Sequence, residues 1–135
     1  MTPLYDRTDN TRRDVKYDRL RLLWPDHLGL ARGKYLTKDK AEKGTAHCIS
    51  LFTLGFDREM IPHDGGMFWQ GLPDCEARFD PSEIRPGWEK GTAVVVPDIE
   101  REHRPVPLAP RHVLTESVEK WKGHGYQPMV GIELE

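Results

Sequence analysis

From Tyr17 onward the chain alternates apolar and charged positions. Leu20, Leu22 and Trp24 interleave with Arg19 and Arg21, the period of two that marks a half-buried strand. Pro25-Asp26-His27-Leu28-Gly29 supplies turn chemistry after it, so a second strand over about Leu30 to Leu36 completes a hairpin. Thr37 is placed to cap a short helix over Lys38 to Lys43, with Gly44 as its stop. His47 to Leu54, rich in β-branched and aromatic residues, reads as a buried strand. Between Asp57 and Asp74, the residues Pro62, Gly65, Gly66, Gly71 and Pro73 predict a long surface loop.

Further strands are predicted over Cys75 to Phe79 and Thr92 to Val96, separated by a loop over Asp80 to Gly91. The prolines at 105, 107 and 110 disfavour regular structure and read as a linker, which places a domain boundary near residue 105. Pro110 then suits the first turn of a helix whose Leu114, Val118 and Trp121 share one face, ended by Gly123 or Gly125. Pro128 to Glu135 alternates Val130, Ile132 and Leu134 with Gly131, Glu133 and Glu135, as a strand with one acidic face would. The order predicts an α+β fold: a β-grasp-like small mixed sheet packed on a helix over residues 16–104, after a mobile lead-in at 1–15. Residues 105–135 form a linker, a helix and a strand.

Composition narrows the partners. The 135 residues hold 20 basic and 22 acidic side chains, a formal charge of -2, and that balance argues against nucleic acid or an anionic membrane as a partner. No apolar run approaches the roughly 20 residues of a membrane helix. The polar start, Met1 to Lys16, lacks the pattern of a secretory signal. Cys48 and Cys75 lack C-x-x-C spacing and read as reduced thiols, so the expectation is a cytoplasmic protein.

Four carboxylates are candidates for chemistry. Glu133 and Glu135, two apart on an extended segment, would project from one face with Cα atoms about 7 Å apart, and each could hold a hard cation such as Mg²⁺ or Mn²⁺. Spacing alone fits a solvated acidic face more commonly. Asp64 and Asp80 sit in loops, where a carboxylate can bind an ammonium or take its proton; capping its own turn is the commoner role. Arg32 and Lys34 could meet a phosphate or simply protect a sheet edge. Walker, Rossmann and nucleophile-elbow motifs are lacking.

In order and spacing these features resemble the glutamine synthetases and their γ-glutamyl-amine ligase relatives. The resemblance runs through Asp26-x-x-Gly29-x-x-Arg32-Gly33-Lys34, Asp64-Gly65-Gly66, Phe79-Asp80-Pro81-Ser82, Trp88, Gly91-Thr92-Ala93, Ala109-Pro110-Arg111 and Gly131-Ile132-Glu133-Leu134-Glu135. It implies an amino-terminal β-grasp domain plus the start of a catalytic domain, from an enzyme that phosphorylates the γ-carboxylate of glutamate with ATP and transfers it to ammonia or an amine. It also implies a ring-shaped homo-oligomer, Glu133 and Glu135 as ligands of two Mg²⁺ or Mn²⁺ ions, and Asp64 and Asp80 beside the nitrogen donor. Ammonia-using members commonly have Asp-Gly-Ser-Ser where this chain has Asp64-Gly65-Gly66-Met67, which leaves ammonia and a larger amine both open. The piece alone is expected to be inactive. An alternative is a non-catalytic module that docks on such an oligomer.

Overall fold

The computed structural model describes residues 15–41, 44–64 and 67–133. Its elements are β1 (Arg19–Pro25), β2 (Ala31–Thr37), the single-turn α1 (Lys38–Ala41), β3 (Thr45–Cys48), β4 (Asp74–Arg78), β5 (Arg85–Pro86), β6 (Thr92–Val95), β7 (Asp98–Arg101), β8 (Arg104–Pro105) and α2 (Pro110–Gly123). The fold is α+β, with the strands divided between two sheets. The first has the order β2-β1-β6-β5 and the second β3-β4-β7-β8. β1 runs antiparallel to β2 and parallel to β6.

The alternation in β1 dictates where the core lies. Leu20, Leu22 and Trp24 point to one side and are buried, joined there by Ala93 and Val95 of β6 and Leu36 of β2. Cys75, Ala77 and Ile99 of the second sheet close the same cluster. A fully buried leucine contributes about 1.5–3 kcal/mol, so Leu20 and Leu22 anchor the first sheet. Both sheets end on a two-residue Arg-Pro strand, Arg85–Pro86 and Arg104–Pro105.

Four segments depart from the sequence reading. The strand expected over His47 to Leu54 stops at Cys48, and Ile49–Phe52 turns as a 3₁₀ helix. Ile49 and Phe52, both buried, are three apart and so share a side of that tight helix; a short apolar run alone does not distinguish the two geometries. The proline-rich stretch is irregular only over residues 106–109, since Arg104–Pro105 is strand β8. Glu102 and His103, at φ of 52° and 60°, make a two-residue turn of the kind favoured in hairpins, and β7 pairs with β8 across it. Pro105 is tolerated because β8 is an edge strand. Val106 and Ala109 then pack into the core.

The remaining two departures involve the carboxyl-terminal segment. α2 begins at Pro110 as expected and ends with Gly125 at φ 81°, where Tyr126 N–H reaches Trp121 C=O at 3.1 Å and Gly125 N–H reaches Lys122 C=O at 2.9 Å, a Schellman-type stop. Its intended inner face stays largely open: Leu114 is 62% and Trp121 56% exposed, while Val118 is half-buried. Residues 128–133 form no strand, since an extended segment without a neighbour leaves its backbone groups to water. Residues 42 and 43, the expected end of the first helix, lie outside the described residues.

Candidate functional site

The best-defined polar feature is the β1–β2 hairpin. Asp26 is 2% exposed, and its Oδ1 accepts hydrogen bonds from the Leu28 and Leu30 N–H groups, both at 2.9 Å. Oδ2 takes the Arg32 Nε–H at 2.7 Å. Burial by itself would raise the pKa of this carboxyl, but the donors from Leu30, Arg32 and Leu28 outweigh it, and the net direction is downward from 3.8. Gly29 takes φ 77°, and a Cβ on Gly33 would stand 2.2 Å from the Leu22 carbonyl oxygen. Lys34 donates to the Ala46 carbonyl. Each fixed letter of Asp26-x-x-Gly29-x-x-Arg32-Gly33-Lys34 therefore has a structural task, and Arg32 and Lys34 are committed to protein partners.

Under the hairpin lies a second polar group. His47 stacks on Trp24 with centroids 4.5 Å apart and planes at 28°, while its Nε2 lies 3.4 Å from Cys75 Sγ. Burial, then the nearby Lys34 charge, pushes the His47 pKa down to about 4. Burial likewise pushes the Cys75 thiol up to about 11. A neutral imidazole beside a protonated thiol has neither the charge nor the access for nucleophilic chemistry, so this pair belongs to the core.

The loop carboxylates are differently placed. Asp64 lies in the connection from β3 to β4 and is exposed. Its carbonyl accepts the Met67 N–H at 2.9 Å, which starts the 3₁₀ turn Phe68–Gln70. Asp80 follows β4, is exposed, and caps the 3₁₀ turn Pro81–Glu83 by accepting the Ser82 N–H at 2.8 Å. Glu133 is exposed in the unpaired tail, and Glu135 lies outside the described residues.

A divalent metal needs several oxygen donors converging. Glu133 is the right type of donor, yet among the described residues no cluster of three or more His, Cys, Asp or Glu side chains could hold an ion. The described residues do not by themselves fit a metal centre. A feature that strand-and-motif reading missed is the cationic stack on the open face of the first sheet. The Arg21 guanidinium lies 4.5 Å from the Trp88 ring centroid and 5.2 Å from that of Tyr35, and Tyr35 Oη donates to Glu89 at 2.9 Å. The alternation of Arg19 and Arg21 opposite Tyr35 was the available signal.

No protein-family model matches the sequence. Among curated proteins the chain is 34% identical over 126 residues to a gamma-glutamylethanolamide synthetase of Streptomyces coelicolor, a match spanning 87% of this chain and 27% of that protein. It is 34% identical over 116 residues to type-1 glutamine synthetase 2 of Dictyostelium discoideum, covering 79% of this chain and 22% of that one. A gamma-glutamylanilide synthase of Acinetobacter is 28% identical over 132 residues, 86% and 26% of the two chains. Among solved structures, a GmaS/ADP complex superposes with a TM-score of 0.59 at 23% identity, covering 83% of this chain and 24% of that one. A novel glutamine synthase homolog gives 0.60 at 17% identity, covering 82% and 28%. These likenesses are of fold. The chain spans about a quarter of the length of the relatives it matches, and within that span it belongs to the glutamine synthetase family.

Proposed function

We propose that this chain is the amino-terminal portion of an ATP-dependent ligase that joins the γ-carboxylate of glutamate to ammonia or an amine. In this reading residues 16–104 form the β-grasp domain, and residues from about 105 begin a catalytic domain. The observation that carries it is the 34% identity to a gamma-glutamylethanolamide synthetase over 87% of this chain. The hairpin lock at Asp26 supports it, because the motif that carries the resemblance is also what holds the domain together.

ATP would supply the phosphoryl group that turns a carboxylate into an electrophile. The chain's own part is at the nitrogen donor. Asp64, exposed on its loop, holds the ammonium or ammonium-bearing donor and receives its proton as the nitrogen attacks. Asp80 borders the same site. Glu133 and Glu135 would supply two of the oxygen donors for Mg²⁺ or Mn²⁺, the remaining ligands coming from elsewhere. The working form is a cytoplasmic ring in which one subunit's loops complete a neighbour's site.

The test is γ-glutamyl hydroxamate formation from glutamate, ATP and hydroxylamine. The 135-residue chain alone is expected to give none. A chimera in which it replaces the matching quarter of the Streptomyces relative is expected to turn over, and D64N in that chimera to lose activity. Full activity in D64N overturns the role of Asp64, and activity in the isolated chain overturns the partial-site reading.

The open face of α2, with Val113, Leu114 and Trp121 exposed, favours a second reading: a non-catalytic module that docks on a ligase oligomer. Saturable binding to an intact relative, without any effect of D64N on turnover, would favour it.

A further inference from the structure

On the first sheet, the side away from Leu20 and Leu22 carries an ordered set of polar groups. Register puts Arg19 of β1 opposite Thr37 of β2 and beside Thr92 of β6. A guanidinium therefore stands in one row between two hydroxyl residues, with neighbouring strands about 4.8 Å apart. One row further along the face, about 7 Å away, Arg21 is opposite Tyr35 and beside Val94.

Two groups of the first row are uncommitted. Arg19 is exposed and lies 5.6 Å from the Tyr35 ring centroid, but among the described residues its guanidinium meets no carboxylate or other hydrogen-bond acceptor. Thr92 is 6% exposed, and among the described residues its Oγ1 has no hydrogen-bond partner. A sealed hydroxyl in that state is uncommon and calls for an explanation. The turn 87–91 packs on this threonine: the Gly87 N–H donates to the Thr92 carbonyl at 2.9 Å. From the same turn the Glu89 carboxylate accepts the Tyr35 hydroxyl at 2.9 Å and lies 3.7 Å from Arg21, while Trp88, 64% exposed, stacks on Arg21. Lys38, next after Thr37, adds a third positive charge at this end of the sheet, against the carboxylates of Asp18 and Glu89.

We infer that this face binds a small organic phosphate that carries a flat ring, with its oxygens on Arg19, Thr37 and Thr92 and its ring against Trp88. A phosphate suits the row better than a carboxylate, because it brings three acceptor oxygens to three donor groups. The ring is needed because an exposed indole beside a cationic row offers a stacking surface that a bare oxyanion does not use. In the unliganded protein Glu89 stands in for the anion on Arg21. Its release on binding frees the turn and gives the Thr92 hydroxyl an acceptor.

None of these residues takes part in the chemistry proposed above, so the outcome is independent of it. The ¹⁵N-labelled 135-residue chain is titrated with phenyl phosphate, with inorganic phosphate and with phenol at constant ionic strength. Phenyl phosphate is expected to shift the amides of Arg19, Thr37 and Thr92 and the Trp88 indole N–H saturably, binding about tenfold tighter than either comparison compound. R19A should weaken it about tenfold and T92V about threefold, whereas E89Q, which removes the competing charge, should tighten it about threefold. The amides of Leu20, Leu22 and Val95, unmoved in each variant, report that the sheet is intact. No saturable response to phenyl phosphate, an equal affinity for inorganic phosphate or for phenol, or an R19A chain that binds as the parent does overturns the inference. Weaker binding by E89Q overturns the displacement of Glu89.

Discussion

The two aspartates that open recognisable motifs, Asp26 and Asp64, live in opposite surroundings. Asp26 is buried with three donors on its two oxygens, whereas Asp64 stands in solvent and lends its carbonyl to the local turn. In water's absence an unpaired charge is very costly, so Asp26 is bound to its partners and is unavailable to any substrate. Asp64 is exposed, so a ligand can reach it. Burial, more than membership in a motif, separates the aspartate that builds the domain from the one proposed to act.

That contrast can be broken most forcefully at Asp26. D26A leaves two backbone N–H groups and Arg32 without their acceptor, and urea unfolding is expected to show a loss of about 3 kcal/mol; an unchanged midpoint would dissolve the distinction. The core beneath the same hairpin carries an acid liability of similar size. His47 titrates near 6.5 when unfolded and about 4 when folded, so between these values the unfolded chain binds the extra proton. Stability is fully present above pH 6.5 and falls on the order of 3 kcal/mol as pH drops to about 4. H47F should flatten that slope in denaturant melts taken across the window. Below it, as pH falls through the depressed pKa of Asp26, the hairpin's own contribution is lost too.

G33A comes next, at about 1–3 kcal/mol, since the Leu22 carbonyl must give way. D80A removes a turn cap and should cost about 1 kcal/mol. At the far end of the scale D64N is expected to stay within about 0.5 kcal/mol of the parent chain. A destabilisation as large as that of D26A would show Asp64 to be structural.

Much of the first sheet was legible because β1 states its geometry plainly. Leu20, Leu22 and Trp24 are buried at every second position, and turn residues mark its end. The hairpin β7–β8 was not, since Pro105 and Pro107 mask a pairing that depends on two non-glycine residues adopting positive φ. Ile49 to Phe52 misled for another reason: their apolar content fits strand and 3₁₀ helix alike. For the site, the sequence could name Asp64 and Asp80 but not their exposure, and it could not foresee that Asp26 would be sealed in. The face of Leu114 and Trp121 is apolar as read, yet both stay more than half exposed, with Trp121 meeting Tyr126 edge to face at 5.4 Å.

The Arg-Pro dipeptides that finish both sheets bear on how the molecule behaves in a crowded solution. A fibre grows when an incoming chain finds a row of unused backbone donors and acceptors along a flat margin. At Arg85–Pro86 and Arg104–Pro105 such a chain meets a guanidinium and a residue with no N–H to offer. On the opposite margins Lys34 of β2 is tied to the Ala46 carbonyl of β3, which takes one acceptor of that edge out of play. Seeding through strand addition is thereby discouraged most at the Arg-Pro ends.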